Sequence, residues 1–126
     1  MDLNLKNKKV FISGSTKGIG FETAKLFLGE GASVIINGRT DESVSIALKR
    51  LNSKNVEGIT ADFSDESNID NLINKLPDDI DILVNNVGIF RGKEFKDETY
   101  IDWLDHFEVN LMSGVKLSKH FLPQMI

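Results

Sequence analysis

Apolar residues fall into four short runs separated by amphipathic stretches. The runs are Lys8–Ser13 around Val10-Phe11-Ile12, Ala32–Asn37 around Val34-Ile35-Ile36, Val56–Ala61, and Ile80–Asn85. Apolar character without polar alternation predicts strands buried on both faces, as in a parallel sheet. Gly58 weakens the third run. Between the runs the spacing turns helical. Ile19–Glu30 carries Phe21, Ala24, Phe27 and Leu28 at helical intervals with the stem of Lys25, and Gly29 and Gly31 stop it. Asp41 is placed to cap a helix through Leu51 whose inner face is Val44, Ala47, Leu48 and Leu51. Ser64 or Asp65 caps the next helix, with Ile69, Leu72, Ile73 and Leu76 inward and Pro77 as its stop. After a loop over 86–97 the longest pattern runs over 99–124. Thr99 and Asp102 open it as a capping box with Asp in place of Glu, and Pro123 ends or kinks it.

Strands alternating with helices through short loops predict an α/β fold with a parallel sheet and right-handed crossovers. No internal repeat, low-complexity tract or internal boundary interrupts 126 residues, so residues 1–126 read as a single domain. Composition narrows the function classes. Hydrophobic residues are 40% and charged residues 27%, an ordinary globular balance. A net charge of −4 with scattered basic residues argues against nucleic acid as partner. There is no cysteine, which excludes disulfide and thiolate chemistry. No ligand-spaced cluster suggests a metal, no apolar run approaches a membrane span, and MDLNLKNKK has no apolar signal region. A cytoplasmic protein with no membrane partner is the expectation.

Candidate chemistry gathers where the strands end. In an α/β sheet of this kind ligands bind at the carboxyl ends of the strands, and four features fall there. After the first strand comes Ser13-Gly14-Ser15-Thr16-Lys17-Gly18-Ile19-Gly20, a glycine-rich turn opening a helix. Its glycines let backbone approach a ligand, and the helix N-terminus favours an anion such as a dinucleotide pyrophosphate. The spacing is G-x-x-x-G-x-G rather than the usual G-x-G-x-x-G. It is not a P-loop, because Lys17 precedes Gly18. After the second strand comes Asn37-Gly38-Arg39-Thr40, where an NAD site usually has an acid for the ribose 2′-OH. Arg39 suits a 2′-phosphate, and Lys17 adds a second positive charge, so NADP is favoured over NAD. The alternative is that both are solvated surface charges. Asp62-Phe63 follows the third strand, with Asp62 either accepting from the adenine amino group or serving a cap or loop. Asn85-Asn86-Val87-Gly88 follows the fourth, as a functional loop or as plain turn chemistry.

Taken together, these segments resemble the classical short-chain dehydrogenase/reductase family over essentially the whole chain. SGSTKGIG stands for the family's TGxxxGIG with Ser13 for Thr, and NNVG for its NNAG with Val87 for Ala. VNLMSG matches the segment that carries the family's catalytic-tetrad Asn, here Asn110. The resemblance implies a Rossmann-type doubly wound parallel sheet, truncated at about four strands in the order 3-2-1-4 with four helices. It implies an NADP-dependent oxidoreductase that moves hydride between NADPH and a carbonyl or alcohol small molecule. The cofactor-binding residues are then Gly14, Ser15, Thr16, Lys17, Gly18, Ile19, Gly20, Arg39, Asp62, Phe63, Asn86, Val87 and Gly88, with Asn110 as the catalytic residue.

The family's Ser and Tyr-x-x-x-Lys lie in the half beyond such a long helix. Tyr100, the one tyrosine, is followed four residues on by Leu104, and Ser113 and Ser118 come too early for the catalytic Ser. The chain therefore reads as a truncated, cofactor-binding N-terminal portion that is inactive alone. A catalytically inactive nucleotide-binding module is the alternative, and an unrelated α/β domain a remoter one. Tyr100 and Trp103 are expected to pack on the preceding loop, and His106 and His120 to be solvated. Apolar residues on several sides of the 99–124 helix, with an open fourth strand, predict a homo-oligomer or a longer polypeptide.

Overall fold

The computed structural model describes residues 1–126, and its layers follow the expected pattern. The elements are β1 (Lys9–Ile12), α1 (Gly18–Gly29), β2 (Ser33–Gly38), α2 (Asp41–Leu51), β3 (Val56–Thr60), α3 (Glu66–Lys75) and β4 (Ile82–Val84). A 3-10 turn (Phe95–Asp97), α4 (Tyr100–His106), a π-helical segment (Phe107–Met112) and α5 (Ser113–Met125) complete the chain. All strand pairs are parallel, and the sheet order is β3-β2-β1-β4.

The alternation of side chains along a strand sends neighbours to opposite faces, and β1 divides the core accordingly. Val10 and Ile12 join Phe21, Ala24, Val34, Ile36 and Ala47 beneath α1 and α2. Phe11 points the other way, into a layer with Phe63 from the loop after β3 and Ile69, Leu72, Val109, Leu117 and Phe121 from α3 and the long C-terminal helix. Val10, Phe11 and Ile12 are fully buried on both faces of β1, so that part of the strand reads as a continuous apolar run. Gly58, which weakened the third strand in the sequence, is required by packing. A Cβ there would collide with the Val44 side chain of α2.

Several local expectations are corrected. Thr40, not Asp41, caps α2: its hydroxyl oxygen accepts from the Ser43 N–H at 3.1 Å, while the Asp41 carboxylate accepts from the Thr60 hydroxyl. Of the two candidates for α3, Asp65 is the cap, accepting from the Ser67 N–H, as one of the expected alternatives. The terminal polar residues Ser13 and Asn85 lie just outside the strands: the Ser13 N–H donates to Val84 O at the end of β4 while its hydroxyl accepts from the Asn86 N–H, and the Asn85 amide donates to the Ser118 hydroxyl of α5. The predicted 99–124 helix runs as three consecutive helical pieces, with the Thr99–Asp102 capping box in place. Pro123 does not end it. The proline sits in the last turn, where only one helical donor is lost, and Ile126 N–H still reaches Leu122 O.

Tyr100 does not pack on the loop but stands exposed, and Trp103 alone meets Phe95 edge to face at 6.4 Å between centroids. His106 is half-buried rather than solvated, its Nδ1 2.7 Å from Asp102 O. No helix is long and apolar enough to cross a membrane.

Candidate functional site

The carboxyl ends of all four strands open into one cleft of about 930 Å³. Gly14, Thr16, Lys17, Gly18 and Ile19 form one wall, and Arg39, Asp62 and Phe63 come from the ends of β2 and β3. Asn86, Val87 and Gly88 after β4 close the far side. Eleven of the candidate residues therefore converge on one space. The remaining three do not line it.

The glycines have different tasks. Gly14 and Gly18 adopt φ of +59° and +61°, a region that L side chains rarely enter. At Gly14 a Cβ would also lie 3.0 Å from Val87 Cα, so the turn rests against the fourth strand's loop. At Gly18 a Cβ would meet nothing within 4 Å, leaving open room toward the cleft. Gly20 is buried, and a Cβ there would sit 2.6 Å from Gly14 O and 2.5 Å from Asn86 Nδ2. It lets the helix seat on the turn. Ser15 is likewise buried, donating its hydroxyl to Ile12 O at 2.7 Å. Gly20 and Ser15 build the turn from behind rather than face the cleft.

The start of α1 is electrostatically open. Both α2 and α3 begin with a side-chain cap and acidic residues in the first turn, Asp41 and Glu42 in one and Glu66 in the other. At α1 the cap position is Lys17, no side chain caps the helix, and the first turn holds no acid. Its first N–H groups lack intrahelical acceptors and carry the positive end of the dipole. Lys17 and Arg39 are exposed, and neither joins any of the molecule's salt bridges. Positive charge and unpaired N–H groups therefore meet at this corner of the cleft, a combination that favours an anion.

Asp62 forms a turn: one carboxylate oxygen accepts from the Ser64 N–H at 3.0 Å and hydroxyl at 2.7 Å. Burial pushes its carboxyl up. The Ser64 hydrogen bonds and the Arg39 charge outweigh that and hold it below its ordinary value, so it is ionised and can still accept. Phe63 is almost wholly buried in the core and gives the cleft a rigid floor.

Asn86 ties the fourth loop to the first, its amide donating to Ser13 O at 3.2 Å and Gly14 O at 2.9 Å. Asn110 lies in the π-helical segment, a form that recurs at functional positions. Its Oδ1 accepts from Ile89 N–H at 2.6 Å and its Nδ2 donates to Ile89 O at 2.9 Å. It stays exposed and pins the strand-end loop to the long helix, beside the cleft rather than in its wall.

Two buried polar residues escaped the functional reading. Ser13 Oγ accepts from the N–H groups of Asn86 and Val87 at 3.0 and 3.1 Å. Asn37, 1% exposed, spends its side chain on backbone groups instead of a ligand. The signal available was their position: each is a polar residue ending an otherwise apolar run. No group of three or more His, Cys, Asp or Glu side chains converges as a metal would require.

The short chain dehydrogenase family model matches residues 8–126, and the chain belongs to that family of oxidoreductases. It is 50% identical over its whole length to the uncharacterized oxidoreductase YvrD of Bacillus subtilis strain 168, of which it covers 49%. It is 33% identical to the 3-oxoacyl-[acyl-carrier-protein] reductase FabG of Aquifex aeolicus strain VF5, again over its whole length and 53% of that protein. The chain thus spans about half the length of the curated relatives it matches. Its backbone superimposes on L-sorbose reductase from Gluconobacter frateurii, solved with NADPH and L-sorbose, with a TM-score of 0.89 and 27% identity. That match covers 99% of this chain and 50% of the reductase.

Proposed function

We propose that residues 1–126 are the cofactor-holding portion of an NADP-dependent oxidoreductase that moves hydride between NADPH and a carbonyl or alcohol. The carrying observation is the uncapped, acid-free N-terminus of α1 behind a turn of positive-φ glycines, with unpaired Lys17 and Arg39 beside it. The donor set fits a dinucleotide. The α1 N–H groups with Gly14 and Gly18 would take the pyrophosphate, Arg39 and Lys17 the 2′-phosphate, and Asp62 the adenine amino group. Val87 and Gly88 would border the nicotinamide end, and Asn110, through its exposed amide, would support a proton relay. The bound nucleotide would supply the hydride; these residues bind and orient it.

The preference for NADP over NAD follows from Arg39 standing free where an acid would repel a phosphate. No Tyr-x-x-x-Lys occurs among residues 1–126, so these residues alone offer no tyrosine proton donor of the family's kind. The second reading is a nucleotide-binding module without catalysis. Calorimetric titration with NADPH, paired with a carbonyl-reduction assay on the same sample, tests both. Binding without turnover is expected of residues 1–126. Absence of binding overturns the cofactor assignment, and NADPH-dependent turnover overturns the assignment of the proton donor. We also place a homo-oligomeric contact on the apolar outer side of the 99–124 stretch, where Leu104, Phe107, Leu111, Val115 and Leu122 are exposed.

A further inference from the structure

Asn37 sits where the second strand meets the cleft, the position from which a dinucleotide's ribose is ordinarily read, yet all its bonds run inward. Its Oδ1 accepts from the Gly14 N–H at 3.0 Å. Its Nδ2 donates to Ile59 O at 3.2 Å and Ala61 O at 3.3 Å. Its backbone N–H donates to Ser15 Oγ at 2.9 Å, and its backbone carbonyl accepts from the Ser15 N–H at 2.8 Å. Five bonds from one residue join the glycine turn, β2 and the end of β3.

The amide orientation is dictated by its partners. One neighbour is a donor and two are acceptors, so a flipped amide would lose all three bonds. An aspartate would serve Gly14 equally well but would aim a carboxylate at two carbonyl oxygens, with burial opposing its charge. An acid at this position is therefore incompatible with the ties to β3.

We infer that Asn37 is a positioning residue for the phosphate-binding turn: it holds Gly14 in its left-handed conformation through Oδ1 and anchors that hold on β3 through Nδ2. It does not read the ribose. Resting on the dinucleotide reading above, this separates two properties of the cleft. Asn37 sets how well the turn is formed for the pyrophosphate, which NADPH and NADH share. Arg39 sets the difference between them.

The test combines amide hydrogen exchange with titration of NADPH and NADH. In the wild-type chain, the Gly14 amide is expected to exchange at least roughly tenfold more slowly than that of exposed Lys17. Asn37→Ala is expected to lose that protection at Gly14 while the β1 amides keep theirs. Asn37→Asp retains the acceptor but loses the ties to β3, so Gly14 protection is expected to fall between that of the wild type and that of Asn37→Ala; full wild-type protection in Asn37→Asp would overturn the anchoring role of Nδ2. Both dinucleotides should bind Asn37→Ala more weakly by the same factor, roughly tenfold, leaving their affinity ratio unchanged. Gly14 exchanging as fast as Lys17 in the wild type, or an Asn37→Ala ratio that differs from the wild type, would overturn the inference. If Asn37→Ala does not fold, the wild-type exchange comparison and Asn37→Asp still decide it. A wild-type chain that binds neither dinucleotide contradicts the functional proposal, while the exchange comparison judges the clamp independently.

Discussion

Gly20 and Gly29 lie on the same helix, and the surroundings of each Cα predict opposite responses to a methyl group. At Gly20 the added Cβ would meet Gly14 O at 2.6 Å and Ser15 Cα at 2.9 Å, both backbone that cannot swing aside. Gly20→Ala should lose about 1–3 kcal/mol from overpacking despite alanine's better helix propensity. Gly29 has nothing within 4 Å of a Cβ and an ordinary φ. Gly29→Ala should gain roughly 0.4–1 kcal/mol by restricting the unfolded chain. Denaturant unfolding of both variants checks the pair, and a Gly20→Ala protein as stable as wild type would contradict the close seating of α1 on the turn.

At this scale the sequence was partly legible. Glycine spacing and the charges of Lys17 and Arg39 are written in residue identity, and the fold brings Gly14, Gly18, Lys17 and Arg39 to the cleft. Which polar groups face inward is not. Asn37 and Ser15 carry the same identities whether they touch a ligand or a buried carbonyl, and only the pairing of strand ends distinguishes the two.

Among elements, the helix starts are the most informative. α2 and α3 carry their own caps and acids, which complete them as structural pieces; α1 carries neither, so its first N–H groups keep no side-chain acceptor. α4 is the opposite case, closed by the Thr99–Asp102 capping box and then bound to the loop before it. Asp102 accepts from Lys93 Nζ at 2.8 Å, with Arg91 bridging to Asp105 at 3.0 Å. The Lys93 hydrogen bond first, then the Thr99 N–H, hold the Asp102 carboxyl far below its ordinary value of 3.8 against the opposing effect of burial.

A carboxyl lowered on folding contributes stability that is complete above its unfolded value and lost as pH falls through its folded one. Asp102→Asn should therefore be less stable than wild type by an amount constant from neutral pH down to about pH 4 and shrinking below it. Unfolding curves over that pH series test the sign; a difference that grows with acidification would refute it. The capping box was readable because its two partners are three residues apart. The Lys93 tie and the π-helical segment were not, since one depends on where a loop folds back and the other on how Asn110 meets Ile89.

For the whole molecule, layer assignment was legible because the apolar runs are short and separated by a helical period, whereas the strand order was implied only by the family resemblance. The core divides as the alternation on β1 dictates. The fate of the long helix was legible only in part. Leu117 and Phe121 are fully buried against the sheet, while Leu104, Phe107, Leu111 and Val115 remain outside on a surface too apolar to favour water. Light scattering should give a mass at least twice the 14.1 kDa of one chain, and Leu111→Lys should lower it; a stable monomer would count against that contact.

If the four strand ends form an NADP site, as proposed, Arg39 sets its preference for NADPH over NADH. The most direct measurement is the ratio of NADPH to NADH affinity in the wild-type chain and in Arg39→Ala, by calorimetric titration. NADPH is expected to bind more tightly by roughly 10- to 100-fold in the wild type, as a charge-assisted contact to the 2′-phosphate supplies. Arg39→Ala is expected to bring the ratio close to one mainly by weakening NADPH. Equal affinities in the wild type, or a ratio that Arg39→Ala leaves unchanged, would contradict it.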